Sequence, residues 1–379
     1  MHETAERGRE LIATRKIKKG EVVLQVRPLL AIPSDNNLQS RCSICLRPNS
    51  REIKLQSCDN CGYVVLCSSC ESSEVHEMEC SSIRLLLDPR SHVHHSLFKN
   101  RMDSTTGKQS RETSALRLLM RAATTSAISR RSSSNEDAPV SEVEAVADVV
   151  ADTFDDFETL WNAEENLPER NWEHHMDIVK QTRYLTPPGA RHSLETLLGF
   201  FNRMVANAFD IPSSAPQDPN PDIAAGALSP ASSSSSASAD PVADQSLDAK
   251  RGTRKRKKSV SSAVQGGPES DTCKRINQTE SVKLSAEYKL SSTSAESAGT
   301  VVTVSGALFN HSCDPCVQWD FSDKSGFMVF TATRNVSKGA RLEISYLNKH
   351  ALAASTQIRR LKLEEDFFFI CQCSRCAEQ

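Results

Sequence analysis

The sequence predicts an α+β protein with β-strands near both ends of the chain, a helical section between them, and cysteine-rich segments that bind zinc. Three observations support this fold class. Short β-rich runs separated by glycine turns occupy residues 7–32 and 301–346. Between residues 81 and 211, apolar side chains recur at the three- and four-residue spacing of helices. Most of the 13 cysteines lie in closely spaced pairs, which is the pattern of structural zinc sites.

The composition narrows the class of protein. A chain of 379 residues, of which 38% are apolar, can bury a sizeable core in two or three domains. Its formal net charge of −2 argues against direct nucleic-acid binding by the whole molecule. No apolar signal-peptide core precedes the cysteine pairs, so we expect reduced, metal-binding thiols in an intracellular protein. No apolar run reaches the roughly 18 residues of a membrane span, so we expect a soluble protein without a membrane partner.

The first section, residues 7–32, contains two β-rich runs. One starts at Arg7 and the other covers 21–26, and the turn Lys18-Lys19-Gly20 lies between them. Short β-rich runs on either side of a glycine turn predict a hairpin.

The segment Cys42–Cys80 contains three C-x2-C pairs followed by His76 and Cys80. Eight possible ligands in 39 residues are enough for two zinc ions. Because so short a segment has little apolar surface, metal binding would supply its folding energy. His92, His94 and His95 follow without matching ligand partners, and we expect them on the surface.

Residues 81–211 predict a helical insert. The helical period is found in four stretches, at 115–120, 143–161, 172–184 and 194–209. A polar patch at 129–137 and the sequence Pro187-Pro188-Gly189 predict breaks between the helices.

Residues 212–300 hold 20 serines and a single aromatic residue, Tyr288. This composition cannot bury enough apolar surface to offset the entropy of ordering, so it predicts disorder. Closing so long a loop costs only about 2 kcal/mol more than closing a loop of about ten residues. The segment includes an unpartnered Cys273 and a basic run, Lys250–Lys258. That run is a nuclear import signal, a polyanion contact or a solvated linker.

The last section starts at Val301 and contains the sequence Asn310-His311-Ser312-Cys313. Cys313 and the tail residues Cys371, Cys373 and Cys376 supply four sulfurs for one tetrahedral zinc site, which would tie Asn310 and His311 to the tail. Cys316 is either a spare thiol or a competing ligand. Three antiparallel strands are predicted by the β-rich runs at 317–321, 327–334 and 341–346.

The Asn-His-Ser-Cys segment, a strand ending in Ile344-Ser345-Tyr346 and the C-x-C-x2-C tail closely resemble the SET/MYND family of protein-lysine methyltransferases. The resemblance covers residues 7–80, 204–211 and 301–376. It implies a split SET-domain β-fold with an inserted MYND zinc finger, a helical insert and a zinc-bound post-SET tail. The implied parts are 1–41 for the first SET part, 42–80 for MYND, 81–211 for the helical insert, 212–300 for the disordered loop, 301–347 for the second SET part and 348–379 for the post-SET zinc segment.

The ligand pairs between Cys42 and Cys80 resemble those of the MYND finger, where pairs interleave. The resemblance implies one zinc ion on Cys42, Cys45, Cys67 and Cys70, and another on Cys58, Cys61, His76 and Cys80. The third pair and the spacer to His76 are shorter here than is usual in the family. With the tail site, we expect three zinc ions per chain.

The resemblance also implies S-adenosylmethionine (AdoMet) as the methyl donor. The implied cofactor-binding residues are Arg7, Gly8, Arg9, Asn207, Asn310, His311, Phe367 and Phe369. Tyr346 is the implied catalytic residue, because its hydroxyl would orient the substrate amine and the methyl group. Three positions depart from the family: Glu10 replaces its usual second glycine, Cys316 stands where it usually has asparagine, and Phe367 stands where many members have tyrosine. Asn207 alternatively caps a helix, and the phenylalanines at 367–369 are alternatively ordinary core.

The implied function is AdoMet-dependent methylation of lysine in histone or non-histone proteins. The alternative is a weak or inactive SET/MYND adaptor that recruits partners, such as proline-containing peptides, through MYND. Asn310, His311 and Tyr346 together favour the enzyme, whereas Glu10 and Phe367 favour the adaptor. We expect the protein in the nucleus, at chromatin, and in the cytoplasm. Only three residues follow Cys376, so we expect a cleft more open than in relatives with a C-terminal helical repeat domain.

Overall fold

The computed structural model describes residues 2–4, 8–94, 113–134, 149–162, 172–213 and 297–377. All of them belong to one compact unit, Met1–Ser214 with Ser281–Gln379. The predictions for Arg7, His95, the basic run, Cys273 and most of the serine-rich loop lie outside the described residues. In the described part, no helix combines the length and apolar character needed to cross a bilayer.

Strands and helices alternate along the chain, so the α+β class is confirmed. The strands are β1 His2–Thr4, β2 Gly8–Glu10, β3 Val22–Arg27, β4 Leu30–Pro33, β5 Leu55–Ser57, β6 Val65–Cys67, β7 Val149–Ala151, β8 Ala208–Pro212, β9 Ser297–Val302, β10 Asn310–His311, β11 Val317–Ser322, β12 Phe327–Ala332 and β13 Glu343–Ile344. The helices are α1 Glu74–Leu87, α2 Ser114–Ser134, α3 Phe154–Glu158, α4 Trp172–Leu185, α5 Leu194–Asn207, α6 Val304–Ala307, α7 Lys349–Ala353, α8 Thr356–Phe367 and α9 Ser374–Ala377. Short 3-10 turns cover Asp35–Asn37 and Pro188–Ala190.

Two sheets join the beginning of the chain to its C-terminal part. One has the strand order β11-β12-β3-β7, and the other has the order β4-β9-β8. Strand β12 pairs antiparallel with β3, so that Phe330 lies opposite Leu24. In the other sheet, Leu30 lies opposite Val302. The apolar faces of these strands share a buried core that includes Val26, Phe309 and Phe330.

The predicted N-terminal hairpin is wrong, although both β-rich runs contain a strand. Strand β2 pairs with β1, whereas β3 pairs with β12 and β7. The segment between β2 and β3 instead bonds to a distant part of the chain: the amide of Ala13 donates to Ala340 and that of Ile17 to Val336. Local sequence pattern indicates a strand, but the partner is chosen by packing over the whole fold.

The helical insert is confirmed in outline and corrected at its boundaries. The predicted break at 129–137 is wrong for residues 129–134, because α2 continues to Ser134. The hydroxyls of Ser132 and Ser133 donate to backbone carbonyls one turn back in this helix. Two predicted helical segments contain strands instead. Val149–Ala151 pairs in parallel with β3, and Ala208–Pro212 pairs with β9. In both, pairing with a neighbouring strand overrides the local helical period.

The C-terminal section also differs from the prediction. Strand β9 begins at Ser297, four residues before the expected start of order, because these residues pair with both β4 and β8. The third predicted antiparallel strand is instead the short β13, which pairs in parallel with β10. Helices α7 and α8 were not predicted. They pack Ala351 and Leu363 against the cysteines of the tail.

The cysteine-rich segment 42–80 and the residue before it, Arg41, pack against the sheets. The guanidinium of Arg41 donates to Asp323 in the β11–β12 turn, 2.6 Å away. Gly326 in the same turn has a positive φ of 76°, and a Cβ there would lie 2.8 Å from the carbonyl oxygen of Cys45. A second contact joins Glu79 of α1 to Arg121 of α2, which also donates to the carbonyl of Ala31 in β4.

Candidate active site and metal centres

The structure brings together three groups of four side chains that could each hold a metal ion. Within each group, one potential ligand atom per residue lies within 4.8 Å of the others. The groups are Cys42, Cys45, Cys67 and Cys70 (site 1), Cys58, Cys61, His76 and Cys80 (site 2), and Cys313, Cys371, Cys373 and Cys376 (site 3). Tetrahedral zinc binds four such sulfur and imidazole ligands. The composition of the three groups is the one expected from the sequence.

Helix α1 supplies two members of site 2. His76 and Cys80 are four residues apart on this helix, so they share one face. Both ring nitrogens of His76 are buried, and neither has a hydrogen-bond partner among the described residues. Burial, aided by the charge of Arg121, lowers the pKa of His76 to about 4. The ring is therefore neutral at neutral pH, and its orphaned nitrogens fit a metal ligand.

Site 3 forms where the chain leaves β10 and meets the tail. Its four cysteines are buried. Burial raises the pKa of the Cys313 thiol to about 11, and it raises that of the Cys80 thiol in site 2 to about 12. Without a cation these thiols keep their protons at neutral pH, so zinc must displace them on binding. The metal affinity of both sites should therefore fall as the solution becomes more acidic.

The other histidine and cysteine predictions have mixed outcomes. Cys316 is not a member of site 3; its buried thiol donates to the carbonyl of Arg341, 3.2 Å away, and acts as a core side chain. The prediction that His94 lies on the surface is wrong. Its ring is buried, and Nδ1 lies 2.9 Å from the carbonyl oxygen of Leu86 at the end of α1. His92 is exposed.

We expect three zinc ions per chain in the purified full-length protein. Elemental analysis, divided by the protein concentration, gives the ratio of zinc ions to protein chains. Cys373→Ser should lower it by one ion, because site 3 loses a ligand. Cys316→Ser, a matched change at a buried cysteine outside the three groups, should leave it unchanged. A ratio of two or less in the wild type with all thiols reduced would contradict either site 2 or site 3.

Strands β10 and β13 place the candidate active site beside site 3. His311 lies opposite Ile344 in this parallel pair. The Nδ1 atom of His311 accepts the backbone N–H of Tyr346 at 2.9 Å, so the proton of the neutral ring belongs on Nε2. Nε2 lies 3.3 Å from the sulfur of Cys313. Burial and the charge of Arg359 lower the pKa of His311 to about 4, so the ring is neutral at neutral pH.

Tyr346 stands at the centre of a group of aromatic rings. Its hydroxyl donates to the carbonyl of Phe309 at 2.8 Å. Its ring centre lies 4.8 Å from that of Phe367 and 6.2 Å from that of Phe369. Desolvation raises the pKa of Tyr346 well above its ordinary value, so the phenol keeps its proton. The arrangement offers one oriented hydroxyl inside an apolar wall.

Asn310 connects β10 to strand β2 near the start of the chain. Its side-chain amide donates to the carbonyl of Arg9 in β2 at 3.1 Å. The side chain of Arg9 extends to Thr159 at the end of α3. The replaced glycine, Glu10, is buried, and its carboxylate accepts from Arg341 at 2.9 Å. The negative charge of Glu10 is therefore paired with the positive charge of Arg341.

Asn207 is the last residue of α5. Its amide donates to the carbonyl of Arg203 one turn back and to that of Trp161. It therefore makes contacts at a helix end, although the C-cap position itself belongs to Ala208. Gly8, another predicted cofactor-binding residue, is the first residue of β2 and precedes Arg9.

Two residues near the site, Asp152 and Trp161, were not predicted, and the contact and backbone conformation of Phe368 were not predicted either. Asp152 follows β7 and accepts the amides of Val304 and Ser305, which fixes the start of α6. Trp161 lies 6.4 Å, ring centre to ring centre, from Phe368, and joins the helical insert to the tail. Phe368 ends α8 with a φ of 63°, which is rare for a bulky residue. The sequence around these positions contains no pattern that indicates these contacts.

Comparison with known proteins identifies the family. The sequence model of the SET domain family matches residues 8–347, which is most of the chain. The chain therefore belongs to the SET domain family, and the predicted fold is confirmed. Its relatives include SET and MYND domain-containing proteins and SMYD5, so it groups with SMYD-like members of the family.

Three relatives illustrate the similarity. Histone-lysine N-methyltransferase ASHR1 of Arabidopsis thaliana is 34% identical over 84 residues, or 21% of this chain and 17% of that protein. A SET and MYND domain-containing protein of Dictyostelium discoideum is 41% identical over 80 residues, or 21% and 18%. Protein-lysine N-trimethyltransferase SMYD5 of Gallus gallus is 33% identical over 70 residues, or 18% and 17%. Each match spans less than a fifth of the relative.

Proposed function

We propose that the protein is an AdoMet-dependent protein-lysine N-methyltransferase of histone or non-histone proteins. One observation carries the proposal: Asn310, His311 and Tyr346 converge on one short parallel strand pair. His311 holds the backbone of Tyr346, and Asn310 holds that of Arg9. The names of the relatives, which include histone-lysine and protein-lysine methyltransferases, agree with this proposal.

The residues fit a cationic methyl donor. When bound, AdoMet supplies a methyl group on a positively charged sulfur. Aromatic faces attract cations, and Tyr346, Phe367 and Phe369 form such a group beside His311. Asn310, His311 and Arg9, with Gly8 and Arg7 next to it in sequence, are the residues that would hold the cofactor. In our proposal Phe367 and Phe369 complete the wall.

The substrate amine must be neutral before it can attack a methyl group. With a reference pKa near 10.4, neutralising a lysine at pH 7 costs about 4.6 kcal/mol. A lysine that enters the site loses the water around its ammonium group, and this loss of hydration disfavours the charged form. The Tyr346 hydroxyl donates its proton to Phe309, and its oxygen lone pairs remain able to accept an N–H from the amine. Tyr346 would therefore orient the amine without acting as a base.

The test is methyl incorporation from labelled AdoMet into histones and whole-lysate proteins, together with AdoMet titration by calorimetry. We expect binding and labelling by the wild type. Asn310→Ala should weaken AdoMet binding roughly tenfold or more, because it removes the amide that joins β10 to the carbonyl of Arg9. Asn335→Ala, at an exposed asparagine that bonds to the amide of Lys19, is the matched control and should bind normally.

The second candidate function is a SET/MYND adaptor without strong catalysis. The departures at Glu10 and Phe367 favour it, and the cysteine-rich segment would recruit proline-containing peptides. The same experiment separates the two functions. A correctly folded, zinc-loaded wild type that binds no AdoMet and labels no protein would reject the enzyme and leave the adaptor.

A further inference from the structure

The three metal sites differ in the charge they would carry. Four thiolates around one Zn²⁺ leave a double negative charge at sites 1 and 3. Site 2 has three thiolates and the neutral His76, so it would carry a single negative charge. Charge in a partly buried place is costly unless a partner compensates it. Sites 1 and 3 therefore need more positive charge nearby than site 2.

Arg47 meets this need at site 1. It lies two residues after the ligand Cys45, and its Nε atom donates to the sulfur of Cys45 at 3.2 Å. One of its terminal nitrogens donates to the sulfur of Cys67 at 3.1 Å. The two ligands are 22 residues apart in sequence. A single guanidinium fork thus spans the two halves of the site.

Arg359 occupies the corresponding place at site 3. Its side chain is 1% exposed and is the largest fully buried side chain of the described residues. One terminal nitrogen lies 3.5 Å from the sulfur of Cys376, and the other donates to the carbonyl of Ala354 at 2.7 Å. The sulfur of Cys376 in turn lies 3.5 Å from that of Cys313. The Nε atom of Arg359 has no hydrogen-bond partner in the part of the chain that the structure describes.

The position of Arg359 would be unfavourable without an anion. Among the ion pairs of the described residues, none joins Arg359 to a carboxylate. An unpaired buried cation costs several kcal/mol. Among the described residues, the sulfur of Cys376 in site 3 lies close enough to supply this negative charge as a thiolate. The burial of this arginine is thus explained by a zinc tetrathiolate.

We propose that Arg47 and Arg359 are zinc-retaining residues, each of which compensates the negative charge of one four-cysteine site. Neither residue needs to contact substrate or cofactor for this role. Partners in the outer shell of a metal site commonly change metal affinity by 10- to 100-fold. The inference is independent of methyl transfer, because it concerns only how the sites hold their metal.

The experiment measures zinc release from the full-length, zinc-loaded protein into a colorimetric chelator. Arg47→Met and Arg359→Met should each make one of the three zinc ions leave about tenfold faster. The other two ions should keep their wild-type rates. Mass spectrometry of alkylated cysteines identifies the site: the released ion should expose Cys45 and Cys67 in the first variant, and Cys313 and Cys376 in the second.

Two further variants separate charge from packing. Arg359→Lys keeps the charge but loses the fork, so it should release zinc more slowly than Arg359→Met. Lys362→Met changes an exposed cation on the same helix and should behave as the wild type. If Arg359→Met fails to fold, Arg47→Met, at a half-buried position, still decides the proposal. Wild-type release from Arg47→Met, or equal release from the Lys and Met variants at 359, would overturn it for that residue.

Discussion

Replacing Tyr346 with phenylalanine is expected to lower methyl-transfer turnover by about a hundredfold or more, on the order of 3 kcal/mol of transition-state stabilisation. The hydroxyl is the one group of this residue that can orient the reacting amine. The backbone N–H that donates to His311 is unchanged by the substitution, and so is the ring that packs against Phe367. AdoMet affinity should therefore stay within a few fold of the wild type.

Single-turnover kinetics and AdoMet titration measure the two quantities separately. Tyr184→Phe removes the same hydroxyl from a tyrosine that is 65% exposed on α4, and it should leave both quantities unchanged. A Tyr346→Phe enzyme with normal turnover would remove this residue from the mechanism. A parallel loss of turnover and AdoMet binding would instead show that the hydroxyl mainly supports the structure of the cofactor site.

Replacing Glu79 with alanine is expected to destabilise the protein by about 3–5 kcal/mol, because it leaves a buried guanidinium without its anion. Both side chains of the Glu79–Arg121 pair are almost completely buried. The contact is a bifurcated hydrogen bond, in which the single N–H of Arg121 Nε lies 2.8 and 3.0 Å from the two carboxylate oxygens. Arg121 also donates to the carbonyls of Ala31 and Ser43, so the cation cannot easily turn toward water.

The measurement is the free energy of unfolding by denaturant with excess zinc, so that metal loss does not contribute. Glu77→Ala changes an exposed glutamate on the same helix and should shift stability by less than about 0.5 kcal/mol. Equal stability of the two variants would mean that solvent reaches Arg121 in the folded protein.

The metal sites could be predicted from the local sequence, whereas the pairing of the strands could not. A C-x2-C pair brings its two sulfurs to one place whatever surrounds it, so the composition of the groups follows from spacing and family resemblance. The partner of β3 is different, because it lies some 300 residues further along the chain. The helical period around Val149 was misleading for the same reason: its parallel pairing with Gln25 is a tertiary contact.

The candidate active site was predictable as a set of residues and not as a set of contacts. Asn310, His311 and Tyr346 follow from the family pattern. The neutral tautomer of His311 depends on the backbone of Tyr346, which no local pattern reveals. Arg359 is a stronger example, since a charged residue within a helix normally indicates a solvated face. Its burial becomes understandable only when the thiolates of site 3 lie beside it.

The packing of Gly326 against Cys45 and the bond between Arg41 and Asp323 have a thermodynamic consequence. The cysteine-rich segment and the sheets are separate in sequence, but we expect them to unfold together. Separating them would break the contacts that join the two parts. The buried pair of Glu79 and Arg121 adds a second attachment, between α1 and α2. Metal bound at site 1 or site 2 therefore contributes to one cooperative transition that includes β4 and the β11–β12 turn.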